Sequence, residues 1–245
     1  MKMIDLFSGI GGFSLAAHWA GIETIQFVEK DEYCQKVLSK NFPNTPTHND
    51  IKTYTGQQGA ADIICGGFPC QPYSLAGDRK GATDERALWG EMLRIISEVQ
   101  PAYILGENVL GLLSQNRGME IKKIRLDLEN IGYQVETVVL PAFAVGYPHT
   151  RNRVWIAAYA NSERLQGWSK TEQSILARAK PAELFSQSVC EWQEENYIPK
   201  ACIFGDDDGL PTKLDRNRLK ALGNSIVPAL AYKILSFFKY HYENS

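Results

Sequence analysis

The sequence has no CxxC pair and no other spacing of metal-ligand type: its five cysteines stand apart at positions 34, 65, 70, 190 and 202. A zinc-ribbon or disulfide framework is therefore not indicated, and thiols with no export signal are expected to be reduced, in a cytoplasm. No apolar run approaches the roughly 20 residues needed to cross a bilayer, so no membrane partner is expected. The opening MKM precedes apolar residues, but Asp5 interrupts them and SGIGG suits a loop, which argues against a signal peptide. Internal repeats and low-complexity tracts are absent. Net charge is nearly absent too, with 26 Lys and Arg against 28 Asp and Glu. Its distribution is uneven: residues 1–159 carry 15 basic and 17 acidic side chains, 160–211 carry 5 and 9, and 212–245 carry 6 and 2. A polyanion would have to be held by local clusters, such as Arg79-Lys80, Arg151/Arg153 and Lys213-Arg216-Arg218-Lys220.

What is present is enough chain, 245 residues at 44% hydrophobic content, for one large α/β domain with a small inserted lobe. Up to about residue 140 short apolar runs alternate with helical stretches, the pattern of a parallel sheet with crossover helices. MIDLF, IETIQFVE, ADIICGG, AYILGEN and YQVETVVL read as strands, and RVWIAAYA as an edge or hairpin strand. FSLAAHWA, DEYCQKVLSKNF, ERALWGEMLRIISEVQ and IKKIRLDLENIG read as helices, two of them stopped by glycine. From about 161 the periodicity weakens through a run of three aspartates. Order returns in an amphipathic terminal helix after the turn Gly223-Asn224-Ser225.

Five stretches could carry chemistry. Phe7-Ser8-Gly9-Ile10-Gly11-Gly12 lies between a strand and a helix, where glycines admit a ligand to the backbone and the helix offers free N–H groups. Glu29 ends the next strand, where such folds hydrogen-bond a ribose. Asp50 is either an acceptor for an adenine amino group or a simple turn residue. In GGFPCQPYS, Pro69 and Pro72 stiffen the chain on both sides of Cys70, at the carboxyl edge of the sheet. Glu107-Asn108 follows AYILG, and if the two strands are neighbours Glu107 emerges beside that loop, where burial would make its carboxyl a proton donor. Arg151 and Arg153, two apart in an extended segment, would project together towards a phosphate or a base edge. Gly223-Asn224-Ser225 either caps the last helix or covers a ligand.

The order of these elements, FSGIGG, Glu29, Asp50-Ile51, GFPCQPYS, Glu107-Asn108-Val109, Arg-x-Arg and GNSIVP, resembles the DNA (cytosine-5)-methyltransferases over residues 1–160 and about 220–235. The resemblance implies a Rossmann-like sheet with helices on both faces, binding S-adenosylmethionine at its carboxyl edge, plus a small target-recognition lobe. The catalytic domain would comprise 1–160 and 212–245, with the lobe at 161–211. Phe7, Ser8, Gly9, Ile10, Gly11 and Gly12 would surround the methionine part, Glu29 the ribose, and Asp50 and Ile51 the adenine. Lys30, Gly67, Pro69, Leu88, Asn224 and Ser225 would complete the cofactor site. Cys70 would add to carbon 6 of a flipped cytosine, Glu107 would act on the ring nitrogen, and Arg153 with Arg151 in support would contact the base oxygen, the thiol or a phosphate.

His149 stands where members of the family commonly have Gln, and the lobe carries four more acidic than basic residues (9 against 5). Such a lobe should be a poor general DNA clamp. The expectation is a monomeric enzyme acting on double-stranded DNA, with a cognate restriction endonuclease as its partner in the cell. A tRNA cytosine-5 methyltransferase of the same mechanism is the alternative. A non-catalytic scaffold would lack the thiol or the glutamate, and a nicotinamide oxidoreductase would not explain the pairing of Cys70 with Glu107.

Overall fold

The computed structural model describes residues 1–69, 88–147, 149–161 and 216–244. Cys70 and the whole 162–215 stretch lie outside them, as do Pro72, Arg79-Lys80 and Lys213. Among the described residues, seven strands form one sheet: β1 (Lys2–Leu6), β2 (Glu23–Val28), β3 (Thr47–His48), β4 (Ile63–Gly66), β5 (Tyr103–Val109), β6 (Tyr133–Leu140) and β7 (Arg153–Ala160). Their order is β3-β2-β1-β4-β5-β7-β6. The helices are α1 (Gly12–Trp19), α2 (Glu32–Asn41), α3 (Trp89–Val99), α4 (Met119–Asn130), α5 (Arg216–Asn224) and α6 (Pro228–Glu243).

β1 and β4 are short and apolar, and nearly every residue is buried, as expected of parallel strands covered on both faces. The chain order runs outward from β1 to β3 on one side and from β4 to β5 on the other. Its reversal between β1 and β4 opens a crevice outside their carboxyl ends. The register keeps those ends level: Leu6 pairs with Gly66, and Gly66 with Gly106. Glu107 is the next residue, which places it at the crevice beside the segment leading to Cys70.

The sequence reading is narrowed at one point here and corrected at two. Of the edge and hairpin readings of β7 the hairpin holds, since it pairs antiparallel with the preceding β6; it pairs antiparallel with β5 as well, so it is internal and the sheet is mixed. Its residues Val154 to Tyr159 are buried on both faces, which is why RVWIAAYA lacks the alternation of an edge. A helix, α5, precedes the Gly223-Asn224-Ser225 turn, where a helix was expected only after it. Neither Asn224 nor Ser225 caps α6; its N-cap is Val227, and Pro228 occupies the first turn, where a missing N–H costs nothing.

Residues 220–243 contain an 18-residue stretch apolar enough to suggest a membrane span. They are instead two helices separated by a turn. Leu230, Ala231, Ile234, Leu235 and Phe238 of α6 are buried in the core, with Phe238 stacked on Tyr103 of β5 at 4.9 Å. Lys239 Nζ donates to Gly21 O at 3.2 Å, so α6 is also tied to the end of α1.

Candidate active site

The loop from β1 to α1 is shaped by three left-handed residues, Phe7, Gly9 and Gly11 (φ 53, 54 and 87). Only glycine takes such a conformation without penalty, so Phe7 is held there by its surroundings. Glu29, just past β2, does part of that holding: its Oε2 accepts from Gly9 N and its Oε1 from Asp31 N, both at 2.7 Å. Ser8 Oγ donates to Asp5 O at 2.6 Å, and Ser14 Oγ donates to Asp5 Oδ2 at 2.7 Å. Asp5 is fully buried, and burial pushes its carboxyl up to about 8, so it packs beneath the loop as a neutral acid. A Cβ on Gly9 would meet nothing within 4 Å, so this backbone faces open space.

On the other side of the crevice stands Glu107, 8% exposed and opposite Trp155 in register. Burial pushes its carboxyl up to about 7, against the opposing pull of the Arg153 and Arg151 guanidinium groups. Arg153 Nε lies 3.1 Å from Glu107 Oε1. Gly67 leaves room on the far side: a Cβ there would sit 3.5 Å from Glu107 Oε2. The neighbouring Asn108 is buried and ties β5 to the segment that leads to Cys70, with Nδ2 donating to Phe68 O at 2.9 Å, two residues before that cysteine. Its Oδ1 accepts from Val109 N at 2.8 Å. Phe68 in turn packs on Trp89, their rings 5.1 Å apart, so the two ends of the 70–87 stretch are pinned together.

The two arginines border the same cavity but engage different partners. Arg151 has φ 26, which breaks the extended geometry that would put both on one face. It turns towards the last turn of the chain, and its Nη2 donates to Gly223 O at 2.7 Å and to Ser225 O at 2.6 Å. That turn also packs directly on α1: a Cβ on Gly12 would lie 2.7 Å from Ile226 Cγ1. Farther along α5, Lys220 Nζ meets Asp31 Oδ2 at 2.7 Å across the mouth of the crevice.

These groups enclose a cavity of about 480 Å3. Of the anticipated residues, Phe7, Gly9, Glu29, Gly67, Pro69, Glu107, Arg151, Arg153 and Asn224 line it. Ile10, Gly11, Gly12 and Ser225 line a second cavity behind the glycine loop. Ser8 is buried beneath the loop, and Leu88 is half-buried against the core. Lys30, Asp50 and Ile51 line neither cavity; Asp50 Oδ1 accepts from Lys52 N at 3.0 Å, as in a plain turn, and Ile51 O accepts from Arg94. Sequence reasoning gave Asp31 no role, quoted Asn108 only beside Glu107, and placed Lys220 only in a basic cluster for a polyanion. Asp31 was visible as a cap, since it opens DEYCQK and accepts from Tyr33 N and Cys34 N. The pairing of Lys220 with Asp31 gave no signal, because the two are distant in sequence.

The residues present fit S-adenosylmethionine. Bare glycine backbone and the uncapped first turn of α1 suit the amino-acid end, and the Glu29 carboxylate at the strand end suits a ribose. The cavity's size is that of an ordinary small-molecule site.

A family model described as C-5 cytosine-specific DNA methylase matches residues 1–202. The chain is 32% identical to the Type II methyltransferase M.HhaI of Haemophilus parahaemolyticus, over 69% of this chain and 52% of that protein. It is 30% identical to M.MspI of Moraxella sp, over 90% of this chain and 53% of that protein. The chain thus spans about half the length of these curated relatives. Among solved structures it is similar to the Dnmt2 methyltransferase of S. pombe, with a TM-score of 0.64 at 18% identity, covering 98% of each chain; that likeness speaks to the fold.

Proposed function

The chain belongs to the C-5 cytosine-specific DNA methylases, and from that premise we propose that it transfers a methyl group to carbon 5 of a cytosine flipped out of double-stranded DNA. The observation that carries this reading is the meeting of two unlike half-sites at one crevice. A backbone-lined nucleoside pocket lies beside a buried, ion-paired glutamate held next to the segment that delivers Cys70.

When bound, S-adenosylmethionine supplies an electrophilic methyl group. Cys70 attacks carbon 6 of the cytosine and forms an S–C bond, while Glu107, neutral below about pH 7, donates its proton to the ring nitrogen. The electron pair of the 5,6 double bond is thereby made available at carbon 5, which takes the methyl group. A base then removes the carbon 5 proton, the S–C bond breaks to release the Cys70 thiolate, the double bond returns, and the ring nitrogen gives its proton back to Glu107. Arg153 orients Glu107 and stabilises its ionised form after the proton has left. Asn108, through Phe68 O, fixes the approach of the nucleophile's segment. The Type II names of its relatives support a role as the modification partner of a restriction endonuclease, with a solitary enzyme as the alternative.

The test is to incubate the protein with S-adenosylmethionine and duplex DNA containing 5-fluorocytosine, with a tRNA substrate in parallel, and run a denaturing gel. Fluorine blocks the final elimination, so a DNA adduct is expected, and it should vanish in Cys70→Ser. Trapping on tRNA alone would keep the mechanism and overturn the substrate.

A further inference from the structure

We infer that Arg151 is a positioning residue for the cofactor: it clamps the Gly223–Ser225 turn so that Asn224 is presented to the cavity. This rests on the methyltransferase reading above and assigns Arg151 a different task from Arg153. The geometry is specific. One guanidinium nitrogen bridges the two carbonyls that flank Asn224, at 2.7 and 2.6 Å. The side chain is 8% exposed, and Asn224 itself lines the cavity with Gly9 and Glu29. Gly223 and Asn224 end α5, and beyond them Ser225 N reaches Leu222 O at 3.2 Å and Ser225 Oγ reaches Ile226 O at 3.2 Å. The turn also packs on Gly12, where the contact allows no side chain in between.

Arg151 and Arg153 are two residues apart but serve opposite walls. Arg153 pairs with the Glu107 carboxylate, on the chemistry side. Arg151 reaches across 72 and 74 residues of sequence to backbone carbonyls on the cofactor side. A guanidinium presents several donors in a fixed plane, which suits two diverging carbonyls better than a methylene chain could. The positive φ at Arg151 is the local strain that this reach requires. Substitution should therefore fall on cofactor affinity, and substitution of Arg153 on turnover.

The full chain is titrated calorimetrically with S-adenosylhomocysteine, and hydrogen exchange is followed at the amides of residues 222–227. In Arg151→Met we expect the dissociation constant to rise at least tenfold, with faster exchange in those amides. The KM for S-adenosylmethionine should rise in step, and kcat at saturating cofactor should fall much less than it does in Arg153→Met. Arg151→Lys keeps a donor and a charge, and should recover most of the affinity. Arg153→Met should bind S-adenosylhomocysteine as the wild type does and lose kcat. Unchanged affinity and exchange in Arg151→Met, with kcat lost, would overturn the proposal and place Arg151 on the base. If Arg151→Met does not fold, the same split is read in Arg151→Gln, whose shorter side chain cannot bridge the two carbonyls. A wild type that binds S-adenosylhomocysteine but methylates neither DNA nor tRNA would sink the proposed function alone. A wild type that binds no S-adenosylhomocysteine would sink both.

Discussion

The two walls of the crevice are built on different principles. The wall formed by β1, β2 and α1 presents backbone: glycine, a helix start without a side-chain cap, and a carboxylate engaged with the loop itself. The wall formed by β4, β5 and β7 presents side chains, Glu107 and Asn108 buried and Arg153 half-buried, each held by a partner on another strand or segment. A backbone wall can bind a ligand tightly without being able to move a proton. A buried acid can move a proton but depends on its neighbours for its ionisation. Binding and chemistry should therefore be separable by mutation.

The sharpest break of that comparison is Glu107→Gln. The amide keeps the shape and loses the proton, so kcat should fall by about 10²–10⁴-fold while the dissociation constant for S-adenosylhomocysteine stays put. Comparable losses in both would mean the walls are not independent. In the wild type, activity should decline as pH rises through about 7, because the donor form of Glu107 is lost there. The stability sign follows from the same shift. An acid raised by folding contributes stability that is full below its ordinary value of 4.5 and is lost as pH rises through about 7. Melting temperature against pH should show that slope in the wild type, and Glu107→Gln should remove Glu107's share.

Next in size is Gly12→Ala, on the backbone wall. The new Cβ would lie 2.7 Å from Ile226 Cγ1 and 3.2 Å from Ser225 Oγ, so the turn must move. A cost of about 1–3 kcal/mol in stability is expected, as for an overpacked contact. It should show as a lower urea midpoint, together with weaker cofactor binding. A variant as stable as the wild type would mean the turn is loosely seated, contrary to its tie to Arg151.

The same division decides what could be read from the sequence. The backbone wall was legible because its determinants are local: glycines in a row, a strand before them, a helix after them, and an acid one strand later. Glu107 was legible as a candidate because two apolar runs implied neighbouring strands. Its partner was not assigned, since Arg153 reaches it only through the antiparallel pairing of β7 with β5, and RVWIAAYA was read as an edge or hairpin strand. Arg151 was misdirected for a similar reason. The alternation rule assumes an extended chain, and a φ of 26 at that residue cancels it. Asp5 was noticed only as an interruption of an apolar run; its role under the loop depends on Ser14, nine residues away on a helix.

The smallest expected effect belongs to the contact that joins the two ends of the chain. Lys220 Nζ sits 2.7 Å from Asp31 Oδ2, with the lysine side chain 65% exposed and the aspartate 34%. The lysine beside it, with two backbone N–H groups, holds the Asp31 carboxyl below its ordinary range. An exposed pair of this kind is screened by solvent and contributes little to stability. Its place matters more than its strength, because both partners line the cavity, one from the N-cap of α2 and one from α5. Lys220→Met should leave the melting temperature nearly unchanged and weaken S-adenosylhomocysteine binding by less than about fivefold. Raising the salt concentration in the wild type should reproduce most of that change, and should do little to the variant. If Lys220→Met weakened binding as much as Arg151→Met, the charge at the mouth would be holding the turn, and the buried clamp behind it would not.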